Sequence, residues 1–273
     1  MPSQTDETLP KLPDLLAIDA DELAERMLEP ATLQAIYEDA TAQLSENRTA
    51  QGLYSLVDSA IETMEQVWAD LAQDEPDYAC RKGCSWCCHQ TVMVTAPEAL
   101  LVAQYIRERF DEETVARLRD RIVQNAENIE GLSNDERLDH GLACVFLQDG
   151  DCSIYPARPL PCRGGFSEDA DYCLNLLKNR EETQAAVAQG ALEGKFLIVP
   201  KMLFDSAQVG MAAAVRNDGL NADPLELTTA VAIALSDPDI TEKWLNGWPV
   251  FDAAKLHRQT GPRGDCYATQ PAA

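Results

Sequence analysis

The stretch CRKGCSWCCHQ, residues 80–90, carries four thiols, Cys80, Cys84, Cys87 and Cys88, with His89 beside them. Thiolates so crowded repel one another unless a cation neutralises them. Zinc or an iron–sulfur cluster does this, and each strips the protons from its ligands on binding. On a helix turning about 100° per residue, the four thiols fall within an arc of about 100°, on one face. If Gly83 breaks that helix into a knuckle, the sulfurs still stay close. Adjacent Cys87 and Cys88 are awkward ligands for one tetrahedral ion, so they are expected to point to different partners.

A second group is dispersed: Cys144, Cys152, Cys162 and Cys173. Cys144 and Cys152 stand at opposite ends of an expected hairpin, Cys162 lies in a proline-stiffened loop and Cys173 in a helix. Ligands drawn from separate elements are how a folded metal site ties a chain together. Eight cysteines suffice for two four-thiolate sites, or for one site plus a redox pair. Taken singly, each cysteine also reads as a small buried apolar residue. For Cys173 the two readings are balanced, and Cys266, alone near the C-terminus, is left as core or a loose surface thiol.

Arg81, Lys82, Arg158 and Arg163 flank these cysteines in a chain dominated by acid. Cations there offset thiolate charge and lower thiol pKa values; the sharper alternative is an anion or substrate pocket beside the metal. His89 is placed behind the ligands, with imidazole ligation as its alternative. Arg158 and Arg163 are placed behind them too. Trp86 and Tyr155 are expected to shield the cluster from water. No catalytic residue is assigned. His140 and His257 have no supporting context.

The elements that must position these groups read as helices on both flanks. Helical patterns run over 19–28, 31–47 and 49–74, the last with Leu53, Leu56, Val57, Ile61, Met64, Val67, Trp68 and Leu71 at three- and four-residue steps. Thr95 and Asp111 are expected N-caps, with Pro97 in a first turn. Asp149-Gly150 signals a hairpin turn between ACVFL and CSIY. Prolines 156, 159 and 161 forbid a helix through the next segment, and Ser167 is an expected cap for the helix holding Cys173. Further helices follow, one of them opening at Asp223-Pro224, and the end reads as a frayed tail.

The bulk composition narrows the function. With 273 residues and 45% hydrophobic content, the chain buries a real core without needing bridges or metals to fold. A net charge of −24 repels nucleic-acid backbones and anionic membrane surfaces. No apolar run reaches the roughly 18 residues of a membrane span, and no secretory signal is evident. The expectation is a cytoplasmic protein, where nine cysteines serve as ligands or redox groups rather than as bridges. The dinucleotide, phosphate-loop, serine-hydrolase and HExxH motifs are absent. Cys80, Cys84 and Cys87 match the radical S-adenosylmethionine spacing literally, but without the alternating strands and helices of that barrel.

Two pieces carry a family resemblance: CRKGCSWCC followed by VMVTAPEA, and CVFLQDGDCSIYPARPLPCRGGF. The chain resembles the YkgJ-type cysteine-cluster proteins, a zinc- or iron-chelating domain with a CxxCxxCC signature, over roughly residues 78–175. One departure is that three residues, not two, separate the first two cysteines. The resemblance implies a metal-chelating cluster with Cys80, Cys84, Cys87, Cys88, Cys144, Cys152 and Cys162 in matching positions and Cys173 as an eighth. Related sequences act as flagellin lysine methylases, which keeps an enzyme reading open.

The expected fold is mainly α, with an irregular Cys-rich centre and one short β-hairpin. Residues 1–75 form a helical region, 76–200 the cysteine-cluster domain, 201–255 the C-terminal helices and 256–273 a flexible tail, together as one unit. The expected function is metal binding through thiolates, to zinc or iron, with an iron–sulfur cluster slightly favoured by the compactness of the first group. The alternatives are an iron–sulfur enzyme that modifies protein, with its pocket near Arg158 and Arg163, and a metal-free thiol switch. The expected partner is the metal ion, not nucleic acid or a membrane.

Overall fold

The helices begin where side chains satisfy their first amides. A computed structural model describes residues 28–73, 75–261 and 264–269; most of the helix expected over 19–28 lies outside these. Helix α1 spans Leu28–Glu46 and α2 spans Ala50–Leu71, the latter capped by Thr49, whose side chain accepts from the Gly52 amide. The whole apolar stripe expected on α2 is buried; each such side chain contributes about 1.5–3 kcal/mol. After a short strand β1 (Met93–Val94) comes α3 (Ala96–Arg109), opened by Thr95 with Pro97 in its first turn. Asp111 caps α4 (Glu112–Ile129), and α5 (Asn134–Asp139) follows.

The middle is short and irregular. Strands β2 (Leu147–Gln148) and β3 (Asp151–Cys152) form the expected hairpin, pairing Leu147 with Cys152. Its turn residues Asp149 and Gly150 have φ of 51° and 84°, the left-handed pair that a two-residue hairpin demands. Contrary to the expectation, the prolines do not forbid helix here: Pro156 lies in the first turn of a 3-10 helix, Tyr155–Ala157, and Pro161 in that of a single α-turn, α6 (Leu160–Arg163), where a missing N–H costs no bond. Helices α7 (Ala170–Lys178) and α8 (Arg180–Ala188) follow. The cap of α7 is Asp169, which accepts from the Asp171 and Tyr172 amides, and not Ser167.

The last third returns to helix in α9 (Ile198–Asn217), α10 (Leu227–Ser236) and α11 (Ile240–Leu245). Asp223-Pro224 does not open α10. Strand β4 (Leu225–Glu226) intervenes and pairs antiparallel with β1, and the cap is Glu226. Of the tail expected over 256–273, the described residues form a hairpin, β5 (Leu256–Gly261) with β6 (Gly264–Thr269), whose backbones pair antiparallel rather than fray. One hydrophobic cluster draws side chains from α1 through α4, from Phe146, Ile154 and Leu160 in the cysteine-rich centre, and from α9 to α11. The centre is thereby fixed to helices of both flanks. No described helix is long and apolar enough to cross a membrane.

Candidate metal centre

The first cysteine group does not lie on a helix. Gly83, at φ 87°, turns the chain so that the Cys84 amide donates to Arg81 O at 2.9 Å, and only Trp86–His89 winds, as a 3-10 turn. The helical-wheel expectation is therefore corrected in favour of the knuckle at Gly83. Ser167, almost fully buried, locks Cys80 in place. Its amide donates to Cys80 Sγ at 3.4 Å and its carbonyl accepts from the Ala79 amide at 2.8 Å. The Ser167 hydroxyl donates to Asp169 O at 3.1 Å and accepts from the Asp169 amide at 3.3 Å, at the start of α7, and it favours the thiolate form of Cys173 on that helix. Phe166 beside it packs on Tyr78 and Trp68, with ring centroids at 4.7 and 5.2 Å.

The second group is brought alongside by backbone. The Cys144 amide donates to Cys88 O at 2.6 Å, joining the hairpin to the knuckle. Gly150 at the hairpin tip lies against Gly83, and Lys82 pairs with Asp151 at 3.4 Å. Arg163, 5% exposed, clamps the proline loop: Nε donates to Arg158 O at 2.7 Å and Nη2 to Pro156 O at 2.6 Å, while Nη1 pairs with Glu65 on α2. Cys162 sits on α6 inside this clamp.

Electrostatics show how far the groups converge. Cys80 feels Cys84 and Cys87; Cys173 feels Cys80, Cys84 and Cys87; Cys162 feels Cys144, Cys87 and Cys152. Cys87 is the thiol common to both groups, and its own thiol is hydrogen-bonded with Cys88. That bond, followed by burial, pushes the Cys87 thiol up. Burial is the leading cause for Cys80, Cys152, Cys162 and Cys173, all raised, and for Cys144, pushed up to about 12. All eight cysteines of the two groups are free thiols. Among the described residues no three potential ligands stand close enough to share one ion. The donor set still fits a thiophilic metal in its chemistry: eight unbridged thiols, six of them with the neutral form favoured, gather where a cation would reverse that preference.

Residues 79–185 match the model of the CxxCxxCC family, described as "Putative zinc- or iron-chelating domain". The matched segment is less than half of the chain and holds every cysteine of both groups. No curated protein and no solved structure matches the chain.

Within the CxxCxxCC segment the flanking cations divide by role. Arg163 has its donors occupied by the loop and by Glu65. Arg158 lies with its guanidinium 3.7 Å from the centroid of the Tyr155 ring, and its Nε is buried without a hydrogen-bond partner. Its charge favours the thiolate forms of Cys87, Cys152 and Cys162. Tyr155 is 56% exposed and serves as the platform under Arg158 rather than as a shield. His89 faces Trp86 O at 3.4 Å through Nδ1. Cys266 falls on β6, and its side chain lies outside the described residues.

A cavity of about 440 Å³ opens beside the thiols. Cys87 and Cys173 line it, with Trp86, Tyr172 and Phe196 as aromatic walls and Arg180 at one side. Arg180 is held by Asp139 at 2.9 Å and Asp135 at 3.5 Å. Neither Arg158 nor Arg163, where the pocket was expected, lines this cavity; it is walled largely by α7 and α8. The sequence reading missed Ser167 as a thiol partner and missed this cavity. An aromatic at each of 86, 172 and 196 was visible, but their meeting depends on how α7 and α8 fold back.

Proposed function

We propose that this chain binds zinc or iron through cysteine thiolates, with Cys80, Cys84, Cys87, Cys88, Cys144, Cys152, Cys162 and Cys173 as the donor pool. The observation supporting it most is that two sequence-distant thiol groups, all unbridged, both feel the charge of Cys87 within the segment matching a chelating family. An iron–sulfur cluster is the favoured form, because the Cys80–Cys88 group is compact and thiolate ligation is what such clusters use. The bound group supplies charge that holds the thiolates and, if iron, an electron-transfer centre. The chain's own residues do the rest. Ser167 orients Cys80 and favours the Cys173 thiolate, Arg163 fixes the loop of Cys162, and Arg158 offsets negative charge near Cys87, Cys152 and Cys162. Free thiols in this number favour a reducing, cytoplasmic setting.

A second reading is an enzyme, favoured by the cavity against Cys87 and Cys173. Its volume is that of a small-molecule site, and a purely structural centre has no use for one. The metal-free switch has the weaker support, since none of the eight described thiols is bridged. Anaerobic purification followed by metal analysis and an absorption spectrum tests these readings. Iron with acid-labile sulfide and a brown colour supports the cluster; colourless protein with stoichiometric zinc supports the structural site. Protein without metal, its thiols all reactive, overturns both and leaves the switch.

A further inference from the structure

Helix α6 has only one turn, and its first amide, Leu160 N–H, has no partner inside it. The residue ahead of it is Pro159, which offers no side-chain cap. Leu160 is completely buried, so water does not serve it either. The partner is Glu98, 62 residues earlier on α3: Oε1 accepts from the Leu160 amide at 2.9 Å. The other oxygen, Oε2, accepts from Thr95 N, Thr95 Oγ1 and Gln208 Nε2, each at 2.8 Å. Gln208, on α9, also donates to Met93 O at 3.1 Å. A carboxyl group that is 1% exposed is costly to bury unless donors surround it, and here four do. A helix cap alone needs only Thr95 and the near oxygen; the second oxygen reaches across the fold to the turn that carries Cys162.

We infer that Glu98 is a positioning residue for the metal centre, its buried carboxyl holding the Leu160 amide and so setting where the Cys162 thiol stands. This rests on the thiolate-chelation reading. It also gives the VMVTAPEA and RPLPCRGGF segments one physical reason to occur together: the first holds the acceptor and the second the amide it fixes.

Glu98→Gln separates this role from the capping of α3. The amide oxygen can keep the three bonds at the Oε2 position, while its NH2 then faces Leu160 N–H, donor against donor. Three readouts follow: hydrogen exchange at the Leu160 amide, iodoacetamide alkylation of Cys162 against Cys80 and Cys144 in metal-free protein, and zinc affinity by competition with a chelator. The expected result is faster exchange at Leu160, Cys162 alkylated about tenfold faster with Cys80 and Cys144 little changed, and zinc bound about 10- to 100-fold more weakly. Faster exchange with unchanged Cys162 reactivity and zinc affinity overturns the inference. Equal acceleration of all three cysteines also overturns it, as general loosening. If the wild-type chain takes up no zinc or iron, the chelation reading fails, and the alkylation comparison still decides the role of Glu98. Should Glu98→Gln not fold, wild-type exchange decides: zinc loading slows the Leu160 amide, and no slowing overturns the inference.

Discussion

Two arginines five residues apart do different work, and replacing each separates fold from metal chemistry. Arg163 donates through three nitrogens in different directions, to Arg158 O, Pro156 O and Glu65. Lysine carries one point charge on a flexible stem and cannot reproduce that fork. Glu65 is half-exposed and Pro156 is an exposed residue, so water replaces much of what those two contacts lose. Counting chiefly the bond to Arg158 O, a charged donor inside the fold, Arg163→Lys costs about 2–3 kcal/mol. For a chain of this size that lowers Tm by about 5–10 °C. Arg158 makes no comparable bond, because its guanidinium rests on Tyr155 and its Nε is unpartnered. Arg158→Gln then costs under about 1 kcal/mol but removes a cation whose charge favours the thiolates of Cys87, Cys152 and Cys162, and metal affinity falls about tenfold. Thermal melts of the metal-free proteins, paired with zinc or iron competition titrations, measure both effects. A Tm for Arg163→Lys within a degree of wild type would refute the clamp. Unchanged metal affinity in Arg158→Gln would refute the charge assignment.

Three further outcomes are expected. Because burial raises the thiol pKa values of Cys80, Cys152, Cys162 and Cys173, and of Cys144 to about 12, these five metal-free thiols are neutral at pH 7. Each thiol that coordinates releases a proton, so affinity drops roughly tenfold per pH unit for each proton released as the medium is acidified; titrations at pH 6, 7 and 8 read the slope. By the same linkage the metal-free fold keeps the Cys144 contribution below the ordinary thiol value of 9.0 and loses it as pH rises towards about 12, and melts across that range show it. Cys152→Ser and Cys162→Ser each lower bound metal, whereas Cys266→Ser leaves the metal content as it was, by elemental analysis. Gly210→Ala drives a Cβ to 2.4 Å from Leu33 O at the α1–α9 crossing. It therefore lowers stability by about 1–3 kcal/mol without changing which metal is bound.

What the sequence made legible was local. Thr95 and Asp111 announce helix starts, Asp149-Gly150 announces a hairpin, and the α2 stripe announces a buried face. Each depends on residues a few positions apart, whose geometry the chain fixes by itself. The cysteine groups were visible by density alone, and the likeness to a chelating family rested on the same motifs that the family match covers. What stayed hidden depends on packing between distant segments. Glu98 follows Thr95 by the three residues of a capping box, yet nothing in its vicinity reveals that its other oxygen serves Leu160. Ser167 resembles a helix cap by type and position, but Phe196 bridges to it, its amide donates to Cys80 and its hydroxyl bonds the Asp169 backbone, while Asp169 caps the helix. The turn at Gly83 displaced the helix on whose one face the cysteines would have fallen, because a left-handed φ ends helical winding wherever it falls.

The central claim is that sulfur, not oxygen or nitrogen, holds the metal. X-ray absorption at the zinc or iron edge of anaerobically purified protein measures this directly. The account predicts a first shell dominated by sulfur at about 2.3 Å, diminished in Cys162→Ser. A first shell made of oxygen and nitrogen alone, or a sulfur shell unaffected by removal of cysteines from both groups, would contradict it.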